Sequence, residues 1–158
     1  MNEIRKLDAA GRAFIKQEEG LILHPYRDIK GIPTIGLGCT YYPDGKRVTM
    51  LDKPLKSETE AWALFDAVNP VYALTVYSTT RDDITQNMFN ALFSLCYNIG
   101  TGANGFKGST VLELVNKNPN DPAISAAFYM WRFTTIDGVK KPKLAARRKR
   151  EADLYFKK

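Results

Sequence analysis

The sequence has few of the side chains that bind metals through nitrogen or sulfur. Its 158 residues include a single histidine, His24, and two cysteines, Cys39 and Cys96. Because zinc sites are built mainly from these residue types, we predict no metal site. His24 precedes Pro25 at a turn, so we interpret it as a surface residue. The cysteines lie far apart in the sequence, and for an intracellular protein we favour two free thiols, with Cys96 in the core.

Long hydrophobic runs are also absent. No stretch of about eighteen consecutive apolar residues occurs, and residues 1–8 lack the apolar centre of a secretory signal. We therefore expect neither a transmembrane segment nor a secretory leader.

Positive charge is concentrated at the C-terminal end. The chain has a net charge of +6, and residues 139–158 contain nine Lys or Arg against Glu151 and Asp153, a local charge of +7. A basic patch of this kind attracts polyanions such as nucleic acid, anionic lipid or the phosphate- and carboxylate-bearing bacterial cell wall.

Size and composition predict one mainly helical domain of the α+β class. A chain of 158 residues is long enough to bury a core without disulfides. Residues 21–50 are rich in Gly, Pro, Tyr, Thr and Ile, which predicts a small antiparallel sheet of two or three strands and the only β structure. Residues 134–142 are expected to form a polar turn around Asp137 and Gly138, and a last helix is expected to start at Pro142.

Capping signals predict the first two helices. Asp8 is the expected N-cap of a helix that Gly20 ends. Ser57 opens a second helix that runs to about Asn69. Residues 70–80 fit either a kinked continuation of that helix or a short separate one.

Three further helices are predicted in the C-terminal half. Residues 85–99 carry apolar side chains at helical spacing with few charges, so we predict the most buried helix there. Ser109 is the expected N-cap of a short helix, and Asp121-Pro122 opens another that continues through Phe128 and Trp131.

Residues 18–40 place two carboxylates and a hydroxyl in one short, glycine-rich segment. Glu19 lies at the predicted end of the first helix, where the peptide dipoles disfavour an ionised carboxylate by roughly 0.3–1 kcal/mol. Asp28 lies in the hairpin that follows, and Thr34 comes six residues later. A carboxylic acid facing an ionised carboxylate is the pair that glycoside hydrolysis requires. We therefore interpret this segment as an active site.

Each of these residues also has a purely structural interpretation. Glu19 could be a solvated helix-end charge paired with Arg148, Asp28 a turn-capping side chain, and Thr34 an ordinary strand residue. Glu18 is a rival acid, since it adjoins Glu19. One residue turns a helical side chain by roughly 100°, so only one of the two can face Asp28.

The segment resembles the phage-type lysozymes, the endolysin group of glycoside hydrolases (family 24) that includes the lysozyme of the T-even phages. The matching residues, in order and spacing, are Glu19-Gly20, Tyr26, Asp28, Gly31, Thr34-Ile35-Gly36 and Gly38. A looser match covers Leu144, Arg147 or Arg148, Glu151 and Leu154, with Lys143 where many relatives have Gly. The resemblance implies a single lysozyme domain over residues 1–158. It would have a sheet-bearing N-terminal lobe (about 15–60), a helical C-terminal lobe (about 70–158) with the first helix packed nearby, and a cleft between the lobes.

The resemblance also implies the activity and the roles of the site residues. The expected reaction is hydrolysis of the β-1,4 bond between N-acetylmuramic acid and N-acetylglucosamine in peptidoglycan, without a cofactor. Glu19 would be the general acid, and Asp28 with Thr34 would direct water or supply the nucleophile, so the stereochemical course stays open. The candidates for substrate binding are Tyr26, Thr40, Tyr97, Asn98 and Ser109.

One departure from the family lies in the active-site segment. Cys39 stands where relatives often have His, so any ion pair of that His must be absent or replaced. A thiol near the cleft also suggests that oxidation or metal modification of Cys39 inhibits the enzyme.

The alternative function is a non-catalytic module that binds glycan or another polyanion through the basic C-terminal helix. For the favoured function the expected partner is peptidoglycan, with no specific nucleic acid, and we expect a monomer. The resemblance implies a protein that waits in the bacterial cytoplasm until a separate factor, a holin, opens the membrane.

Overall fold

The computed structural model describes residues 3–158. Its helices are α1 (Ala9–Glu19), α2 (Glu58–Val68), α3 (Pro70–Thr79), α4 (Gln86–Ile99), α5 (Thr110–Lys117), α6 (Ala123–Tyr129) and α7 (Ala145–Tyr155), with a 3-10 turn at Phe106–Gly108. Its strands are β1 (Ile22–Arg27), β2 (Pro33–Gly36), β3 (Thr134–Ile136) and β4 (Val139–Lys141). The mainly helical α+β class predicted from the sequence is confirmed.

Helix α1 begins and ends where its sequence signals place it. The Asp8 carboxylate accepts a hydrogen bond from the Gly11 N–H at 2.9 Å and another from the Asn90 side chain at 2.9 Å, which ties the start of α1 to α4. Gly20 follows the helix with a φ of 70°, a left-handed value that glycine adopts without steric cost. The helix therefore stops with Glu19 as its last residue.

The first hairpin follows directly. Strands β1 and β2 pair antiparallel with Tyr26 opposite Thr34, and the pairing is irregular between Ile22 and Tyr26. Pro25, which has no N–H to donate, lies within that irregular section. Side chains opposite each other in an antiparallel pair lie on the same face, so Tyr26 and Thr34 are neighbours.

Helix α4 forms the centre of the larger hydrophobic core. Nine of its residues, Met88 to Cys96, are buried, and α7 and α3 both pack against it. The prediction that residues 85–99 form the most buried helix is confirmed. A smaller cluster of Ile35, Cys39, Val48 and Val68 lies under the segment that contains the first hairpin.

Three predictions about secondary structure are corrected. The helix that follows Asp121-Pro122 ends at Tyr129 and does not include Trp131. Residues 134–142 are not only a turn: β3 and β4 form a second hairpin, so residues 21–50 do not hold the only β structure. Asp137 and Gly138 have φ values of 51° and 77°, the left-handed pair that closes a tight hairpin. The last helix starts at Ala145 and not at Pro142, because residues 142–144 complete the connection from β4.

Residues 70–80 contain a separate helix, α3, which ends at Thr79. Asn69 ends α2 and also precedes α3, whose first residue is Pro70. Proline is well suited to the first position of a helix because its missing N–H has no intrahelical partner there. Among residues 3–158, no helix is both long enough and apolar enough to span a membrane.

A buried polar network joins α4 to α7. Ser94 donates to Glu151 Oε2 at 2.6 Å, and Arg148 Nη2 donates to the same oxygen at 3.1 Å. Arg147 Nε lies 3.3 Å from it. Glu151 and Arg148 are both 0% exposed. Buried charges are tolerated when each is paired, so removal of one partner leaves the others uncompensated.

We predict that Glu151→Ala lowers the free energy of unfolding by about 3–5 kcal/mol, because Arg148 then stays buried without its carboxylate partner. Asp153→Ala on the same helix is the matched control. Its exposed ion pair with Lys149 predicts a loss of about 0.5 kcal/mol or less. Urea denaturation followed by circular dichroism measures both, and equal losses in the two variants would contradict the prediction.

Candidate active site

A cleft of about 540 Å³ lies between the first hairpin and the helical part of the chain. The sequence-predicted residues Glu19, Asp28 and Thr34 all line it. Four of the five substrate-binding candidates, Tyr26, Thr40, Tyr97 and Asn98, line it as well. The structure thus brings into one cavity residues that come from α1, the first hairpin and the end of α4.

Glu19 is held at the base of the cleft by an arginine from the opposite end of the chain. Its Oε1 lies 2.7 Å from Arg147 Nη2, and the two side chains are only 15% and 8% exposed. The interpretation of Glu19 as a solvated charge paired with Arg148 is therefore wrong on both counts. The positive charge of Arg147 opposes the electrostatic effect of the helix end on Glu19.

Gly38 makes room for the Glu19 carboxylate. A Cβ atom at this position would overlap Oε2 of Glu19. Gly38 also has a φ of 77°, in the left-handed region that other residues adopt only with strain. Close packing and backbone conformation both require glycine here.

Glu18, the rival acid, points away from the cleft. Its side chain is 1% exposed and pairs with Arg150, whose Nη2 donates to Glu18 Oε2 at 2.8 Å. The roughly 100° rotation between adjacent helical residues accounts for the different surroundings of Glu18 and Glu19.

Asp28 is fixed by the turn that joins β1 and β2. Its Oδ1 accepts hydrogen bonds from the backbone N–H groups of Lys30 at 2.8 Å and Ile32 at 2.9 Å. Asp28 is thus a turn-capping residue, but one whose second oxygen, Oδ2, receives no hydrogen bond from residues 3–158. The half-buried carboxylate is therefore oriented by one oxygen and leaves the other for a ligand.

Thr34 is buried below the hairpin surface. Its hydroxyl donates to the Ile32 carbonyl at 2.8 Å, and the residue is 2% exposed. Since a hydroxyl oxygen has two acceptor sites, the fixed Oγ1 can still accept a hydrogen bond from a water in the cleft.

Tyr26 lies close to both carboxylates. Burial raises the pKa of its hydroxyl to about 12, and the negative charges of Glu19 and Asp28 contribute to the rise. Tyr26 is therefore a neutral hydrogen-bond donor at the pH of a cell.

Cys39 and Tyr97 form a neutral link across the floor of the cleft. The Tyr97 hydroxyl donates to the Leu37 carbonyl at 2.9 Å, and the Cys39 Sγ lies 3.5 Å from the same hydroxyl. Burial is the main cause that raises the pKa of Cys39 and the pKa of Tyr97. A thiol and a phenol therefore meet at the floor of the cleft.

Ser109 does not line the cleft. Its hydroxyl donates to the Phe106 carbonyl at 2.7 Å and accepts from the Leu112 N–H at 3.1 Å, so it caps α5. Ser109 is buried, and its hydroxyl is committed to capping α5 away from the cleft. We therefore drop Ser109 from the candidates for substrate binding.

Sequence reasoning missed several residues of the cleft. Arg147 was one of two adjacent arginines, and nothing local indicated which one meets Glu19. Thr134 and Leu144 also line the cavity, but they come from the second hairpin and from the connection to α7, which the sequence did not predict to approach the site.

The fold and the cleft define a class: a lysozyme-like glycoside hydrolase, with two carboxylates and a threonine in a cavity beside a helical core. The phage lysozyme family model matches residues 16–151. The chain belongs to the phage lysozyme family.

Individual relatives agree with this assignment. The endolysin of Salmonella phage P22 is 35% identical over 151 residues, which cover 96% of this chain and 98% of the relative. The structure of an endolysin from Escherichia coli O157:H7 phage FAHEc1 is 34% identical and has a TM-score of 0.85, with 99% of this chain and 96% of that chain covered. A crystal structure of a P22 lysozyme mutant is 32% identical with a TM-score of 0.77, covering 98% and 100%.

We predict that Gly38→Ala lowers the lytic rate of the folded protein by at least tenfold, because the added methyl group displaces the Glu19 carboxylate. Small displacements in an active site can cost about 10²-fold in rate. The measurement is the rate of turbidity loss of chloroform-treated Gram-negative cells.

Gly45→Ala is the matched control for backbone strain. Gly45 has a φ of 85°, but a Cβ atom added to it would have no other heavy atom within 4 Å. Both variants should lose about 1–2 kcal/mol of stability, whereas only Gly38→Ala should lose activity. Full activity of a folded Gly38→Ala would contradict the packing argument.

We predict that neither cysteine of the native protein reacts readily with a thiol-specific reagent at pH 7.5. Both cysteines are free and buried. Burial raises the pKa of Cys96 to about 12 and also raises the pKa of Cys39, so the reactive thiolate is scarce. Titration with Ellman's reagent should find both thiols after unfolding in urea. Rapid labelling of the native protein, with loss of activity, would instead support inhibition through Cys39.

Proposed function

We propose that Glu19 is the general acid of a muramidase that cleaves the β-1,4 bond between N-acetylmuramic acid and N-acetylglucosamine in peptidoglycan. The observation that carries the proposal is the placement of Glu19, Asp28 and Thr34 around one cleft. Family membership supports the reaction, and the geometry supports the individual roles.

In this proposal the proton to be donated is carried by Oε2 of Glu19. Arg147 lies against Oε1, and a proton on that oxygen would point at a positive charge. Oε2 faces Gly38, which presents no side chain to it. Arg147 is then a positioning residue that fixes the direction in which Glu19 donates its proton to the glycosidic oxygen.

Asp28 and Thr34 act on the other side of the sugar. The unpaired Oδ2 of Asp28 either accepts a proton from water or attacks the sugar carbon directly, and the Thr34 hydroxyl holds the water that takes part. The distance between the acid and the second carboxylate differs between inverting enzymes, about 6.5–9.5 Å, and retaining enzymes, about 5–5.5 Å. Both routes use water, either as the direct nucleophile or to hydrolyse the glycosyl-enzyme intermediate, so the Thr34 hydroxyl can serve in each of them.

The structure weakens the alternative of a non-catalytic polyanion-binding module. Arg147 and Arg148 are buried, and Lys149 and Arg150 are paired with Asp153 and Glu18. Four of the nine cations that made the C-terminal end basic are therefore engaged within the protein. The remaining positive charge is suited to a supporting role, the attraction of the enzyme to an anionic wall.

The proposal extends to the context in which the enzyme acts. Residues 1–158 form a single lysozyme domain and a monomer, which accumulates in the cytoplasm of the host bacterium. Its access to peptidoglycan depends on a holin that opens the membrane. Expression in Escherichia coli with and without a holin tests this point, since lysis without any membrane-opening factor would contradict it.

We predict that Glu19→Gln reduces lysis of chloroform-treated Gram-negative cells by about 10²–10⁴-fold, the range that a general acid typically contributes. Turbidity loss per folded molecule is the measurement, with circular dichroism to verify folding. Glu18→Gln is the matched control, because it makes the same chemical change one residue away, at a side chain that does not line the cleft. Equal lysis by wild type and Glu19→Gln would contradict the assignment of the acid.

A further inference from the structure

The second hairpin contributes a buried hydroxyl group to the wall of the cleft. Thr134, the first residue of β3, lines the cavity and is 4% exposed. Its Oγ1 is shielded from solvent and has no hydrogen-bond partner among residues 3–158. Most buried polar groups in native proteins are paired, so an unpaired one requires an explanation.

The other buried serine and threonine hydroxyl groups of residues 3–158 show the contrast. Each of them donates a hydrogen bond to a carbonyl or carboxylate oxygen of the protein: Thr34, Thr75, Thr80, Ser94 and Ser109. Thr134 is the only buried serine or threonine of residues 3–158 whose hydroxyl group lacks a partner. It lines the cleft, as Thr34 does. The described part of the protein therefore satisfies these hydroxyls except at one position beside the substrate cavity.

The backbone around Thr134 is firmly anchored. Strand β3 pairs with β4, and the Leu144 N–H donates to the Arg132 carbonyl at 3.0 Å, which ties the base of the hairpin to the start of α7. Leu144 also lines the cleft. Thr134 is thus presented at the wall of the cleft by a hydrogen-bonded hairpin.

We propose that Thr134 is a substrate-binding residue whose hydroxyl pairs with a hydroxyl or N-acetyl group of the bound glycan strand. The threonine side chain has three staggered positions about its Cα–Cβ bond. A rotation that brings Oγ1 to a bound ligand breaks no existing hydrogen bond, because none is made. This inference rests on the proposed function, since it takes peptidoglycan as the ligand.

The test separates ligand binding from folding. Thr134→Val removes the hydroxyl and keeps the size and β-branching of the side chain. It is made in a Glu19→Gln background, so that the wall is not degraded, and binding is measured by co-sedimentation with purified peptidoglycan. We expect the Kd to rise roughly 3- to 10-fold, the effect of one lost hydrogen bond. The Tm should be unchanged or higher, because no internal hydrogen bond is lost.

Two control variants complete the experiment. Thr134→Ser retains the hydroxyl, and Thr135→Val makes the same substitution at the exposed neighbouring residue on the other face of the hairpin. Both should bind within about twofold of the Glu19→Gln parent.

Two results would overturn the proposal: an unchanged Kd in Thr134→Val, or a Tm lowered by several degrees, which would show that the hydroxyl has a structural partner. Failure of the muramidase proposal is detected separately, as an absence of lysis by the wild type.

Discussion

The architecture of the active site depends on the contact between Arg147 and Glu19. It joins the last helix to the end of the first one, so Glu19 is positioned by residues from both ends of the chain. A buried guanidinium is costly to desolvate unless it is paired. Arg147 meets this requirement with two carboxylates, Glu19 in the cleft and Glu151 in the core. The geometry of the cleft is therefore set by the same packing of α7 on α4 that stabilises the helical core.

The part of the site near the N-terminus could be predicted because its signals are local. The stop at Gly20 fixes where α1 ends, and hence where Glu19 lies. The hairpin residues then follow within a few positions, so the spacing from Glu19 to Thr34 leaves little freedom in how they meet. The helix caps at Asp8 and Ser57 were predictable for the same reason, since each depends on hydrogen bonds to residues three positions away.

The errors arose where the outcome depends on contacts between distant segments. Arg147 and Arg148 are adjacent and chemically identical, and only the docking of α7 determines that the first of them reaches Glu19. The second hairpin was missed because its strands are only three residues each, and the Asp137-Gly138 signal was interpreted as a turn alone. Ser109 was correctly predicted as an N-cap, but not as a cleft residue. Its hydroxyl donates one hydrogen bond and accepts another within the protein, and it does not line the cleft.

The link between Cys39 and Tyr97 shows how this cleft differs physically from one held together by a histidine ion pair. A histidine changes charge near neutral pH, so an ion pair that it makes is strengthened or lost as the pH changes. Here the strand segment at Leu37 and the end of α4 are joined by the Tyr97 hydroxyl, and burial keeps the pKa values of Tyr97 and Cys39 above their ordinary range. Both groups stay neutral from acidic to mildly basic pH. The connection across the cleft floor is therefore insensitive to pH in this range, unlike one that depends on the charge of a histidine.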